Sequence, residues 1–273
     1  MRKFARGQFM LDAIEITTGN SPQLSVLWLH GLGADGHDFE PIVPELRLRV
    51  PVRFVFPHAP VRPVTINNGI EMRAWYDILG FDRRAAEDAA GIRASAAAVT
   101  ELVDREIERG MSSDRIVLAG FSQGGAIALH TALREPRPLA GVLALSTYLP
   151  LAATLASERS AANARLPLFM AHGTDDPVLP LGLAETSRRT LEALGYVVDW
   201  HAYPMAHSVC MEEVSAVGSW LNALPAARGS LRRSSSNVSR TSATACPVAS
   251  NERSANVACP LPSTSTTVEQ RVP

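Results

Sequence analysis

Seven short apolar runs, at residues 10–16, 25–29, 52–56, 115–119, 141–145, 168–171 and 197–203, alternate with longer stretches of helical periodicity. Several of the runs are apolar at nearly every position, which suits strands covered on both faces rather than strands with one wet side. Such an alternation leaves few architectures open. It predicts an α/β fold with a mostly parallel central sheet and helices on both faces. The predicted helices are 85–109, 122–134, 183–194 and 210–224. In the first of them Ile92, Ala96, Val99, Val103 and Ile107 recur at steps of four, three, four and four, so they form one stripe facing a core.

The alternation stops at Leu224. Residues 226–273 hold no aromatic side chain, are rich in Ser and Thr and are punctuated by Pro, so they have too little apolar surface to offset the entropy of ordering. The expected organisation is therefore one folded α/β domain over 1–225 and a disordered low-complexity tail over 226–273. The tail carries six arginines against Glu252 and Glu269, a balance of +4, which leaves the rest of the chain at −5 of the total −1. Arginines scattered among Ser and Ala are read as solvated rather than as a binding arm.

With 26 Lys and Arg against 27 Asp and Glu, the chain has no basic field to attract nucleic acid or an anionic membrane surface. Cys210, Cys246 and Cys259 are too few for a disulfide framework and their spacing fits no metal site, which favours a reducing, cytoplasmic setting. Asp12 and Glu15 interrupt any signal-peptide core near the start. Residues 139–156 are uncharged over 18 positions, long enough for a membrane span. Ser146-Thr147-Tyr148 and Pro150 divide that stretch into a buried strand and a polar turn, so no stable membrane insertion is expected.

Gly120-Phe121-Ser122-Gln123-Gly124-Gly125 follows the predicted strand 115–119 directly and opens the helix 122–134. A serine hydroxyl becomes a useful nucleophile when a tight strand-to-helix turn lifts it above the sheet, and glycines two before and two after let the backbones pass. The helix N-terminus beyond it offers free N–H groups to a developing oxyanion. Strand before and helix after separate this G-x-S-x-G from a chance match, and Ser122 is the candidate nucleophile.

In a nucleophile, acid, histidine order the partners lie downstream, at the carboxyl ends of later strands. Strand 168–171 runs into His172-Gly173-Thr174-Asp175-Asp176-Pro177, and strand 197–203 into Pro204-Met205-Ala206-His207-Ser208. His207 is the candidate base, while His172 and His201 read as packed. Either aspartate could be the acid, the other serving as a turn or helix cap; Pro177 rigidifies the turn after Asp176 and favours it. Cys210 reads as a packed residue at a helix start. After strand 25–29, His30-Gly31-Leu32-Gly33 forms an H-G-x-G loop of the type that supplies one oxyanion N–H, the other coming from Gln123.

These segments, together with His37, residues 57–65 (PHAPVRPVT) and Met72-Arg73-Ala74-Trp75-Tyr76-Asp77, resemble in order the phospholipase/carboxylesterase family of α/β-hydrolases, which includes the acyl-protein thioesterases; the bacterial carboxylesterase branch is the nearer match. The resemblance spans residues 24–224. It implies Ser122 as nucleophile, Asp176 as acid, His207 as base, the amides of Leu32 and Gln123 as oxyanion hole, and Trp75 as an aromatic beside the acyl site. Two features depart from the family: Ala206 stands where glycine is usual, and the tail has no counterpart. The expected activity is a cofactor-free, metal-free serine carboxylesterase acting on a small-molecule ester. A thioesterase or lysophospholipase using the same site is the alternative, and a non-catalytic binding protein on the same fold is the remote one. The sequence leaves a homodimer open.

Overall fold

The computed structural model describes residues 11–80 and 87–235. Its elements are β1 (Ala13–Thr17), β2 (Leu24–Leu29), β3 (Val52–Pro57), β4 (Val61–Val64), β5 (Ile70–Arg73), α1 (Ala89–Glu108), β6 (Ile116–Phe121), α2 (Gln123–Arg134), β7 (Gly141–Leu145), α3 (Ala152–Glu158), β8 (Leu168–Gly173), α4 (Leu181–Ala193), β9 (Val198–Tyr203) and α5 (Met211–Ser235). Seven strands form one sheet in the order β1-β3-β2-β6-β7-β8-β9. Every pairing is parallel except that of β1 with β3.

The fully apolar strands are buried on both sides, as their sequences require. Along β2, Leu24, Val26 and Trp28 face one core while Leu27 and Leu29 face the other, the two-residue period of a strand. The first layer is closed by α5, through Val214, Val217 and Leu221, and by Phe39, Val43 and Leu46. The second is closed by α1, α2, α3 and α4, whose Ile92, Val99, Val103, Ile127, Leu155 and Leu191 are buried against the sheet. Each large apolar side chain so enclosed contributes about 1.5–3 kcal/mol.

All seven expected strands are present within a few residues. The α1 start differs from the expected 85: Asp88 caps Ala89–Glu108, its carboxylate accepting from Gly91 N at 2.9 Å, and residues 81–86 lie outside the described part. Two elements had no sequence signal. The antiparallel hairpin β4–β5 contains Pro63 and exposes Val61 and Ile70, so it shows no alternating pattern. Helix α3 is seven residues long and begins inside the uncharged 139–156 stretch, which β7, a turn and the first five residues of α3 share. No described helix is long and apolar enough to cross a membrane. At the other end the backbone of α5 continues to Ser235. The rest of the expected tail, 236–273, lies outside the described residues.

Candidate active site

Strand β6 hands over to α2 through a single strained residue. Ser122 sits at φ 54° and ψ −120°, a conformation that costs about 1–3 kcal/mol and persists only when its surroundings fix it. They do so here: Ser122 N donates to Leu145 O at 2.9 Å, and Ser122 O accepts from Thr147 Oγ1 at 2.6 Å and Ala126 N at 3.1 Å. A Cβ on Gly120 would lie 2.4 Å from the Gly124 carbonyl carbon, and one on Gly124 would lie 2.3 Å from Leu29 O. The turn therefore closes only with glycine on both sides of the serine.

The ends of β8 and β9 bring the acid and the base together. The ladder continues beyond the strands, Thr174 N donating to Tyr203 O at 2.8 Å and Asp175 N to Met205 O at 3.2 Å, so the two loops are fixed side by side. His207 Nδ1 lies 2.7 Å from Asp176 Oδ2, and His207 Nε2 lies 2.9 Å from Ser122 Oγ. A carboxylate only accepts, so Nδ1 carries the proton and Nε2 receives the serine O–H. The other oxygen, Asp176 Oδ1, accepts from Val178 N and Leu179 N, both at 2.8 Å. The Asp176 side chain is fully buried, while that of His207 keeps 16% exposure.

Asp175 is exposed and accepts from Thr174 Oγ1 at 3.1 Å, so the two adjacent aspartates have separate surroundings. Behind Asp176 lies His172, also buried, with Nε2 donating to Leu179 O at 2.7 Å. Burial holds its pKa below the ordinary histidine value, so it adds no charge beside the acid at neutral pH. Ala206 is absent from the residues with positive φ, and so tolerates the Cβ that glycine would lack. Cys210 is a free thiol whose pKa is pushed up by burial, which keeps it protonated.

On the other side of Ser122 stands the loop that follows β2. A Cβ on Gly31 would lie 3.5 Å from Ser122 Cβ, so the loop packs against the serine itself. Leu32 N makes no hydrogen bond among the described residues, and Gln123 N is in the first turn of α2, where no helical acceptor exists. His30 is 1% exposed and locks the loop to the end of β3: its Nε2 accepts from Ala59 N at 3.0 Å, which places the ring proton on Nδ1, 2.7 Å from Gly31 O. Burial pulls its pKa down to about 4, so this neutral form persists.

Trp75 lies behind the loop rather than on an open surface. Its indole N–H donates to His30 O at 2.9 Å, its ring is tilted against the His30 ring with centroids 5.3 Å apart, and it is 1% exposed. In this position the ring supports the oxyanion-side loop from behind. The Gln123 side chain, which carried no sequence signal, joins the same assembly: Oε1 accepts from Trp75 N at 2.8 Å and Nε2 donates to Tyr76 O at 2.7 Å. A glutamine between a serine and two glycines reads simply as a polar helix start.

A family model described as phospholipase/carboxylesterase matches residues 12–224. Acyl-protein thioesterase 1 of Neurospora crassa is 42% identical over 208 residues, covering 72% of this chain and 85% of that protein. Acyl-protein thioesterase 1 of Mycosarcoma maydis is 39% identical over 224 residues, covering 75% and 92%. Among solved structures, SOBER1 of Arabidopsis thaliana superposes with a TM-score of 0.70 at 30% identity, covering 74% of this chain and 99% of that one. Acyl-protein thioesterase 2 of Zea mays does so with a TM-score of 0.69 at 29% identity, covering 78% and 99%. With its parallel sheet, its strained serine turn and these relatives, the chain belongs to the phospholipase/carboxylesterase family of α/β-hydrolases and is a hydrolase of the serine esterase type.

Proposed function

We propose that the protein hydrolyses acyl thioesters, with oxygen esters as a second class, by a two-step acyl transfer on Ser122. The observation that carries the chemistry is the continuous chain Asp176–His207–Ser122, with contacts of 2.7 and 2.9 Å on a strained turn. His207 Nε2 takes the hydroxyl proton as Ser122 Oγ attacks the carbonyl carbon, and the oxyanion accepts from the amides of Leu32 and Gln123. Collapse of the tetrahedral intermediate breaks the bond to the leaving group, which takes the proton from His207; water then repeats the sequence on the acyl-enzyme. Asp176 keeps the imidazole in the productive tautomer, itself held by the amides of Val178 and Leu179.

The preference for a thioester rests on the thioesterase names of the most similar relatives described above, and replaces carboxylesterase as the leading reading. Either leaving group suits the same residues. A thiol with a pKa near ~8.5 departs with little help, whereas an alkoxide depends on the proton from His207. Matched thioesters and oxygen esters of equal acyl length test the substrate class, with higher kcat/KM for the thioesters expected and a clear oxygen-ester preference overturning it. Fluorophosphonate labelling followed by peptide mass analysis tests the mechanism: the adduct is expected on Ser122, and labelling elsewhere overturns it.

A further inference from the structure

The two amides assigned to the oxyanion come from segments 91 positions apart in sequence, and backbone N–H groups have no side chain of their own to aim them. Their separation has to be set by whatever ties the loop after β2 to the start of α2. Direct packing does part of this, since α2 fits against the carbonyls of Leu29 and His30 only because residue 124 is glycine. The rest is a closed circuit of buried hydrogen bonds. Gln123 grips the backbone of Trp75 and Tyr76 with both ends of its amide. Trp75 in turn holds His30 O through its indole N–H, and its own carbonyl accepts from Ser95 Oγ of α1. His30 is pinned to Ala59 N, while Gly33 N donates to Arg73 O at 2.9 Å and Arg73 Nη1 to Ala59 O at 2.9 Å. The side chains of His30 and Gln123 and the ring of Trp75 are all nearly inaccessible to water, so each broken bond would leave a buried polar group unsatisfied.

We propose that the Gln123 side chain and the Trp75 indole N–H are positioning residues that hold the amides of Leu32 and Gln123 at the separation the oxyanion requires. This rests on the acyl-transfer reading above. One residue thereby serves twice: the main chain of Gln123 supplies one donor, and its side chain, through Trp75 and His30, steadies the loop that supplies the other. The cost of loosening such a circuit falls on the transition state, because the ground-state carbonyl draws weakly on the donors while the full oxyanion depends on them. It accordingly falls on kcat and is indifferent to acyl length, unlike the loss of a substrate-contacting wall.

Trp75→Phe tests this directly, since it removes the N–H and keeps an aromatic, though smaller, ring in the core. Expected is a fall in kcat of roughly tenfold to a hundredfold with KM unchanged, equal for a short and a long acyl chain. The inhibition constant for an acyl trifluoromethyl ketone, which binds as a tetrahedral oxyanion, should rise by a similar factor. Gln123→Met, close in shape but unable to donate, should behave alike. An unchanged kcat, or a loss that appears in KM and grows with acyl length, overturns the proposal. Should either variant fail to fold, the wild-type protein decides: the Trp75 indole N–H should exchange slowly with solvent in NMR spectra, and fast exchange overturns the tether. Absence of fluorophosphonate labelling at Ser122 in the wild type would instead overturn the acyl-transfer reading, so the two failures are distinguishable.

Discussion

On one side of Ser122, Asp176 and His207 meet through side chains carried on the ends of β8 and β9; on the other, the amides of Leu32 and Gln123 are aimed by buried groups standing behind them. The first side is chemistry written in residue types, because only certain side chains can pass a proton. The second is geometry written in backbone, where any residue brings an N–H and the supporting contacts decide whether it is useful. The two sides also store their ionisable groups differently. Beyond the His207 loop, Glu213 in the first turn of α5 is fully buried, and burial raises its pKa to about 8, only partly offset by the Cys210 backbone N–H. Behind the oxyanion loop His30 is held neutral instead, with its pKa lowered to about 4.

The proton-transfer side should show the largest losses. Ser122→Ala is expected to lower kcat by roughly 10⁶, leaving the far-UV circular dichroism unchanged. Turnover close to wild type would place the nucleophile elsewhere and dissolve the comparison. Next comes the paired aspartates, whose surroundings differ: Asp176→Asn should lower kcat by up to about 10⁴, whereas Asp175→Asn should stay close to wild type. Equal kinetics for the two variants on one activated ester would show that the adjacent carboxylates are interchangeable. The oxyanion side should then give the intermediate effect already stated for Trp75→Phe, one that leaves proton transfer intact.

Stability should fail on opposite sides of neutrality. The folded state holds the Glu213 proton more tightly than the unfolded chain, where the pKa is 4.5, so its contribution is lost as pH rises from about 4.5 through about 8. The full loss amounts to roughly 5 kcal/mol at most, and Glu213→Gln should raise the melting temperature in alkaline buffer while changing little at pH ~5. An unchanged alkaline limb in that variant would mean that the carboxyl is ionised without penalty. His30 works the other way, because the unfolded chain binds a proton at 6.5 that the folded state refuses until about 4. Stability should therefore fall by roughly 3 kcal/mol from this residue as pH drops through that window, with His130, also held to about 4 by burial, adding to the fall. An NMR titration of the His30 ring separates the two, and protonation of His30 near 6.5 would show that its bonds to Ala59 and Gly31 are not maintained.

The sequence by itself determined the sheet and picked out the candidate proton-transfer residues that the fold brings together. Strands 25–29, 141–145 and 168–171 are apolar at nearly every position, the pattern of strands covered on both faces, and parallel strands bring their carboxyl ends to one edge whatever the details of packing. Glycines around Ser122 declared the turn because its backbone permits no other residue there. Three things waited for the tertiary structure. The choice between Asp175 and Asp176 depends on which carboxylate the continued β8–β9 ladder turns inward, and Pro177 was only a hint of it. The hairpin β4–β5, with its proline and exposed valine and isoleucine, is held by the loop beside it through Gly33 and Arg73, a contact with no local pattern. Lastly, the burial of the Trp75 ring and the bonds of the Gln123 side chain to Trp75 N and Tyr76 O have no local pattern in the sequence. Side-chain type announces proton chemistry directly, but the aim of a backbone N–H is set by hydrogen bonds between residues 45 and 48 positions apart, and such bonds exist only once the chain has folded.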